Sequence, residues 1–210
     1  MIKNITLLIA LLFCSQSLRA DARTDKLLAE VEQVYAKLQN VCADFTQTFY
    51  WKLTEEKQQV SGSICAKGGD RFKIETDEQL IVTDGKTLWT RNKASNQVII
   101  DQAENAASEN PFIKDFIAKY LRDYTAAPDK ENSTEEAACV LLTAKTDDQF
   151  VRQMRLWIDR KSKLITKIEQ HDLNENITAI ELQNINLAAQ LVNRDFVYQP
   201  PADADIVDMR

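Results

Sequence analysis

The chain has 210 residues, of which 44% are hydrophobic and 28% are charged, and its formal net charge is −6. Nucleic acids and anionic membranes are bound through basic surfaces that neutralise phosphates and release counterions. An acidic chain of this kind argues against both as partners.

The first 22 residues have the anatomy of a secretory signal peptide. Lys3 precedes a nine-residue apolar stretch, Ile5–Phe13, and small residues follow at Ala20 and Ala22. A membrane-spanning helix needs roughly 20 residues, so we expect cleavage after Ala22 or Ala20 rather than anchoring. Processing as a lipoprotein at Cys14 is an alternative that the bulky residue before it disfavours. The protein is therefore expected in the bacterial periplasm.

The segment 23–210 is expected to form a single domain. It carries 24 basic and 31 acidic residues, a net charge of about −7. A chain of this size buries around 70% of its unfolded surface, so disulfides are not needed to hold it. The oxidising compartment permits one bridge among Cys42, Cys65 and Cys139, and the sequence leaves open which pair forms it, if any.

The first half of this domain reads as one helix followed by short strands. Apolar residues from Thr24 to about Asn40 recur at helical spacing. After Val41 the period becomes two, which places Phe45, Phe49 and Trp51 on one face of a strand. Five further runs with turn signals between them, one at Asp84-Gly85, predict an antiparallel meander.

The second half contains an inserted helix and more strands. Pro111 opens a helical stripe that includes Phe112, Phe116 and Ile117. The polar segment "APDKENSTEE" predicts a loop, strands then return, and the last is expected at Phe196–Tyr198. Pro200-Pro201 is expected to end regular structure. The total is about eleven antiparallel strands with one helix before them and one inserted.

No part of this sequence brings together the reactive side chains that a catalytic or metal site requires. His171 is the single histidine and lies in a polar turn, whereas a zinc site or a catalytic triad needs several placed partners. No nucleophile elbow or phosphate-binding loop occurs. We therefore predict no catalytic residue, no metal and no cofactor, although a hidden acid pair of the glycosidase type stays open.

One large sheet with an apolar face must be covered, and two helices are a small cover for eleven strands. A cavity for a hydrophobic ligand and an ordinary packed core are both compatible with this pattern.

Several segments resemble the periplasmic outer-membrane lipoprotein carrier family, LolA. They are "ADFTQTF" after the first helix, "SGSI", "RFKIET", "LIVTDGKTLWTRNKASNQVII" and the ending "FVYQPPADADIVD". The resemblance extends from about Leu27 to Asp208.

This resemblance implies an incomplete, half-open antiparallel β-barrel whose concave apolar face is lidded by helices. It also implies a non-enzymatic, monomeric chaperone. Such a protein takes triacylated lipoproteins from an inner-membrane ABC transporter, shields their acyl chains and delivers them to an outer-membrane acceptor.

By position, the resemblance also suggests the binding residues. The expected cavity wall consists of Phe45, Phe49, Trp51, Phe72, Ile74, Trp89, Met154 and Leu156. The expected lid residues are Phe112, Phe116 and Ile117.

The sequence departs from the family pattern at one place, which concerns the lid. Known members carry Arg-Pro after the second strand, where this chain has Gly68-Gly69. Lys67 or Arg71 is a candidate to take over latching or transfer.

The sequence is also compatible with two other functions. A lipid-sensing regulator of envelope stress would use the same trough, and a periplasmic hydrolase would need an acidic residue for turnover.

Overall fold

The computed structural model describes residues 8–68, 70–103 and 121–210, with side chains from residue 22 onward. The elements are, in chain order, α1 (Leu8–Lys37), β1 (Asn40–Trp51), β2 (Glu56–Lys67), β3 (Arg71–Thr76), β4 (Gln79–Thr83), β5 (Thr87–Asn92), β6 (Gln97–Gln102), β7 (Tyr124–Asp129), β8 (Ala137–Ala144), β9 (Val151–Asp159), β10 (Ile165–Asp172), β11 (Ile177–Asn186), a 3-10 helix (Asn193–Phe196) and β12 (Asp205–Asp208).

All these strands belong to one open sheet in the order β12-β6-β5-β4-β3-β2-β1-β11-β10-β9-β8-β7. The expected mainly β architecture is confirmed. The strand count differs slightly from about eleven, since the described part of the chain contains twelve, and β12 pairs with β6 in parallel rather than antiparallel. The sheet does not close, because β12 and β7 lie at its two edges.

Strand β7 was not predicted. Its residues include the start of the segment expected to be a loop, and Pro128 lies within it. Proline cannot donate to a ladder and is tolerated on an edge strand, where one side has no partner. Because β8 is the one partner of β7 among the described strands, Pro128 is compatible with a strand there.

The C-terminal segment also differs from its prediction. Where Phe196–Tyr198 was expected to form a strand, a 3-10 helix ends at Phe196, which is completely buried and lies near β3. Burial of a large aromatic side chain is strongly stabilising, which accounts for a buried Phe196 at this point. Regular structure then resumes beyond the prolines, because β12 adds to the free edge of β6.

Helix α1 packs against one face of the sheet, which we call the inner face. The apolar stripe predicted for this helix supplies Leu28, Val31 and Tyr35 to the main core. That core also contains Ile64, from the centre of β2. The predicted amphipathic helix is thus confirmed, although α1 begins at Leu8, well before Thr24.

The cysteines are now assigned. Cys42 and Cys65 lie directly opposite each other on β1 and β2 and form a disulfide. Both side chains lie on the outer face, opposite the inner one. Cys139 is free and buried, and burial raises the pKa of its thiol to about 12.

The expected signal peptide falls partly within α1. Among the residues that the structure describes, no helix is both long enough and apolar enough to cross a membrane.

Candidate functional site

The inner face of β1 carries an apolar row. Residues directly opposite in neighbouring antiparallel strands share a face. Phe45 pairs with Gly62 on one side and with Leu182 on the other, and Ile64 pairs with Ile74 on β3. The predicted wall residues of β1 and β3 are therefore on the same face as the main core.

This face has a packed end, covered by α1. Met154 and Leu156 of β9 are fully buried, and Phe72 of β3 is 5% exposed. All three belong to the same cluster as Leu28 and Val31 of α1. The structure therefore places these predicted wall residues in the packed interior under the helix.

The other end of β1 is more open. Phe49 is half-buried, and Trp51 is 37% exposed. Their rings stack with centroids 5.9 Å apart and an interplanar angle of 19°. An exposed stacked aromatic pair on the apolar face of a sheet is a surface that an apolar ligand can cover.

A belt of partly buried aliphatic residues flanks the core on the same face. It consists of Ile74, Ile81, Leu88 and Ile180, and Phe45 lies one inward-facing row nearer the open end of β1 than Ile74 and Ile81. We call these residues, together with Phe49 and Trp51, the apolar trough. Of them, Ile74, Phe45, Phe49 and Trp51 were predicted, and Ile81, Leu88 and Ile180 were missed.

The floor of the trough is shaped by Gly62. A Cβ atom at this position would lie 2.2 Å from the backbone oxygen of Glu75 and 3.0 Å from the ring of Phe45. Glycine is required here because the aromatic ring lies directly over the strand backbone. The ring of Phe45 can therefore lie low across β2.

Trp89 is not part of the trough. It pairs with Val82 on β4 and with Ile100 on β6, which places it on the outer face. The neighbouring Leu88, opposite Thr83, faces inward instead. The sequence signal for this orientation was the Asp84-Gly85 turn, which sets the register of β4 against β5. A register shift of one residue would exchange the faces on which Leu88 and Trp89 lie.

The latch candidates lie on the outer face as well. Lys67 is opposite Arg71, and its Nζ donates hydrogen bonds to Oδ1 of Asn40 at 3.2 Å and to the backbone oxygen of Leu191 at 3.1 Å. Arg71 pairs with Asp70. Lys67 thus fastens the C-terminal segment across the sheet. The expected lid residues Phe112, Phe116 and Ile117 lie outside the described residues.

Uncharged polar side chains border the trough, since Phe49 lies opposite Gln58 and Thr178. Within the described residues, no group of three or more acidic, histidine or cysteine side chains is arranged to hold a metal ion. His171 lies on the outer face, where its Nε2 is 2.8 Å from a carboxylate oxygen of Glu169 and 3.2 Å from Arg155. The arrangement can bind apolar groups by burial alone.

Comparison with known families matches residues 36–199 to the family described as outer membrane lipoprotein carrier protein LolA. The match covers well over half of the chain. This chain belongs to the LolA family. The resemblance inferred from its motifs is confirmed.

Two LolA relatives show how far the sequence of this chain has diverged from other members of the family. The outer-membrane lipoprotein carrier protein of Aeromonas salmonicida is 26% identical over 207 residues, covering 95% of each chain. That of Glaesserella parasuis is 29% identical over 196 residues, covering 91% of this chain and 88% of the relative.

The fold also matches a solved structure, an uncharacterized conserved protein from Thermus thermophilus. The TM-score is 0.59 at 14% identity, and the match covers 88% of this chain and 98% of the other. At this identity the match concerns the fold alone.

Proposed function

We propose that this protein is a periplasmic carrier that holds the acyl chains of lipoproteins in the apolar trough and takes them from the inner to the outer membrane. The observation that carries the proposal is the stacked, partly exposed pair Phe49 and Trp51 on the same sheet face as a belt of partly buried aliphatic residues. Membership of the LolA family supports it, as do relatives named as lipoprotein carriers.

Burial energetics are sufficient for such a role. Each buried methylene contributes about 0.8 kcal/mol, so ten methylenes contribute about 8 kcal/mol. That corresponds to roughly micromolar affinity. A carrier that works by apolar contact alone needs no chemical turnover, and an acyl chain held without polar anchors can leave for another apolar site.

The proposal includes the route. The signal peptide, 1–22, delivers the chain to the periplasm. An inner-membrane lipoprotein-releasing ABC transporter supplies triacylated lipoproteins, and an outer-membrane acceptor receives them. The protein acts as a binding chaperone rather than as an enzyme.

The binding step is tested by placing one carboxylate on either face of the same strand. Phe49→Glu puts a charge in the trough, whereas Thr48→Glu puts the same charge at the neighbouring position on the outer face. We expect Phe49→Glu to weaken binding of a triacylated lipopeptide at least about tenfold and Thr48→Glu to leave it nearly unchanged. Equal affinities of the two variants would contradict acyl binding in the trough.

The transport step is tested in cells. On depletion of this protein, we expect outer-membrane lipoproteins to accumulate in the inner membrane, as measured by fractionation. Correct sorting in depleted cells would contradict the carrier role, and it would leave lipid binding to be judged by the two variants.

A further inference from the structure

A cavity lies on the outer face, at the same end of the sheet as Phe49 and Trp51. Its volume is about 570 Å³. Its floor is a row of mutually paired residues that crosses five strands, from β1 to β8. The row consists of Tyr50, Ile177, His171, Gln153 and Thr143. We call this cavity the outer pocket.

The walls of the outer pocket come from three chain reversals that are connected to one another. The backbone N–H of Lys52 donates to Oδ1 of Asn176, at 3.1 Å, which joins the β1–β2 turn to the β10–β11 turn. The N–H of Leu173 donates to the backbone oxygen of Phe150, at 2.9 Å, which joins the β10–β11 turn to the β8–β9 loop. The pocket is therefore preformed by hydrogen bonds between its walls.

A β-bulge borders the same pocket. The pairing of β9 with β10 shifts between Gln153 and Val151, which leaves Arg152 as the extra residue. Bulges redirect side chains and are common beside functional sites. Here Arg152 lines the pocket, and its guanidinium lies 3.5 Å from a carboxylate oxygen of Asp147.

The lining carries both signs of charge. Two cationic side chains, Lys52 and Arg152, are accompanied by three carboxylates, at Asp147, Asp172 and Glu175. Hydroxyl and amide groups from the floor lie between them. A phosphate head group would need an excess of cations, whereas donors, acceptors and both charges together suit a polypeptide of variable sequence.

The position relative to the trough identifies the polypeptide. Tyr50 lies between Phe49 and Trp51 along β1, and successive side chains of a strand point to opposite faces. The outer pocket therefore begins directly behind the stacked aromatic pair. Layers packed on the two faces of a sheet each lie about 10 Å from it, so they are about 20 Å apart, and an extended chain covers about 3.3 Å per residue. About six or seven residues are therefore needed to pass from one face to the other around the end of the sheet.

We propose that the outer pocket binds the polypeptide segment that directly follows the acylated cysteine of a lipoprotein, while the acyl chains lie in the trough. This inference rests on the proposed function. It extends recognition from the lipid to the protein part of the cargo, and it lets the carrier favour lipoproteins over free lipids that have the same acyl chains.

Two ligands test the inference. One is a triacylated cysteine amide, and the other is the same group followed by a short, uncharged polar peptide. We expect the unmodified protein to bind the peptide-bearing ligand about tenfold more tightly. Gln153→Ala and Tyr50→Ala should each reduce this preference towards unity without changing the affinity for the cysteine amide. Gln59→Ala, on the outer face of β2 and away from the pocket, is the matched control and should retain the preference.

Equal affinity of the unmodified protein for both ligands would overturn the inference and leave the proposed function standing. Pocket variants that keep the preference, or that weaken the binding of both ligands to the same extent, would also overturn the inference and leave the proposed function standing. Failure of the unmodified protein to bind either ligand would overturn the proposed function, and this inference with it.

Discussion

The backbone N–H of Ile165 donates a hydrogen bond to the hydroxyl oxygen of Tyr35 over 3.2 Å. Tyr35 lies on α1 and Ile165 begins β10, so this bond fastens the helix to the inner face. Both residues are buried, and burial raises the pKa of Tyr35 to about 12. The hydroxyl is therefore neutral at any physiological pH and available as an acceptor.

Tyr35→Phe should lower the free energy of unfolding by about 1–3 kcal/mol, because a buried backbone N–H loses its acceptor. Urea unfolding followed by circular dichroism measures the change. Tyr198→Phe is a matched control, since the buried hydroxyl of Tyr198 has no hydrogen-bond partner among the described residues. Its removal should be neutral or stabilising. A larger cost for Tyr198→Phe than for Tyr35→Phe would contradict this assignment.

Gly62→Ala should disturb both stability and ligand binding. The added methyl group meets the backbone oxygen of Glu75, which cannot move without shifting β3, and then the ring of Phe45. We expect a loss of about 1–3 kcal/mol in unfolding free energy and a weaker affinity for acylated ligands. Ser63→Ala, the next residue and on the outer face, should change stability by less than about 0.5 kcal/mol. An unchanged affinity in a folded Gly62→Ala variant would contradict a binding role for the floor of the trough.

The disulfide between Cys42 and Cys65 closes a loop with a sequence separation of 23. Its removal in a Cys42→Ser, Cys65→Ser double variant should lower the unfolding free energy by about 3 kcal/mol, because the unfolded chain regains loop entropy. A reducing agent should lower the urea midpoint of the unmodified protein to a similar extent and leave that of the double variant unchanged. Equal midpoints under oxidising and reducing conditions for the unmodified protein would contradict the bridge.

Asp129 should make stability depend on acid pH. Desolvation raises its pKa, but hydrogen bonds from Asn132 and Arg155 outweigh this and lower the pKa overall. A lowered native pKa means that the stabilisation is present above the unfolded value, about 3.9, and is lost as the pH falls through the native value.

Asp129→Asn should therefore lower the unfolding free energy at pH 7 by roughly 1–3 kcal/mol, with the difference shrinking below about pH 4. Exposed Asp25→Asn serves as the control, with little effect at either pH. A difference for Asp129→Asn that stays constant from pH 7 to pH 3 would contradict the assignment.

The hydrophobic periodicity of the sequence predicted those elements in which the contrast between an apolar and a solvated face decides the structure. The alternation of β1 placed Phe45, Phe49 and Trp51 together, because one face of that strand is apolar and the other solvated. Helix α1 was found for the same reason. The motifs also led to the correct family.

Features that depend on contacts between distant parts of the chain could not be predicted from periodicity. Trp89 faces outward because the register of β4, β5 and β6 sets it opposite Val82 and Ile100. Strand β12 has only four residues and exists because the edge of β6 is free. The outer pocket has no sequence signal at all, since its floor is assembled from five strands through their register.

The central place of β1 has a consequence for how the protein folds. Asp44 and Asn184 are 140 residues apart, yet their side chains meet across the junction between β1 and β11. Closing so long a loop is slow, and the two halves of the sheet cannot join until the last third of the chain is present. The apolar half-sheets remain exposed over that interval, so folding helpers should have their greatest effect before β11 pairs with β1.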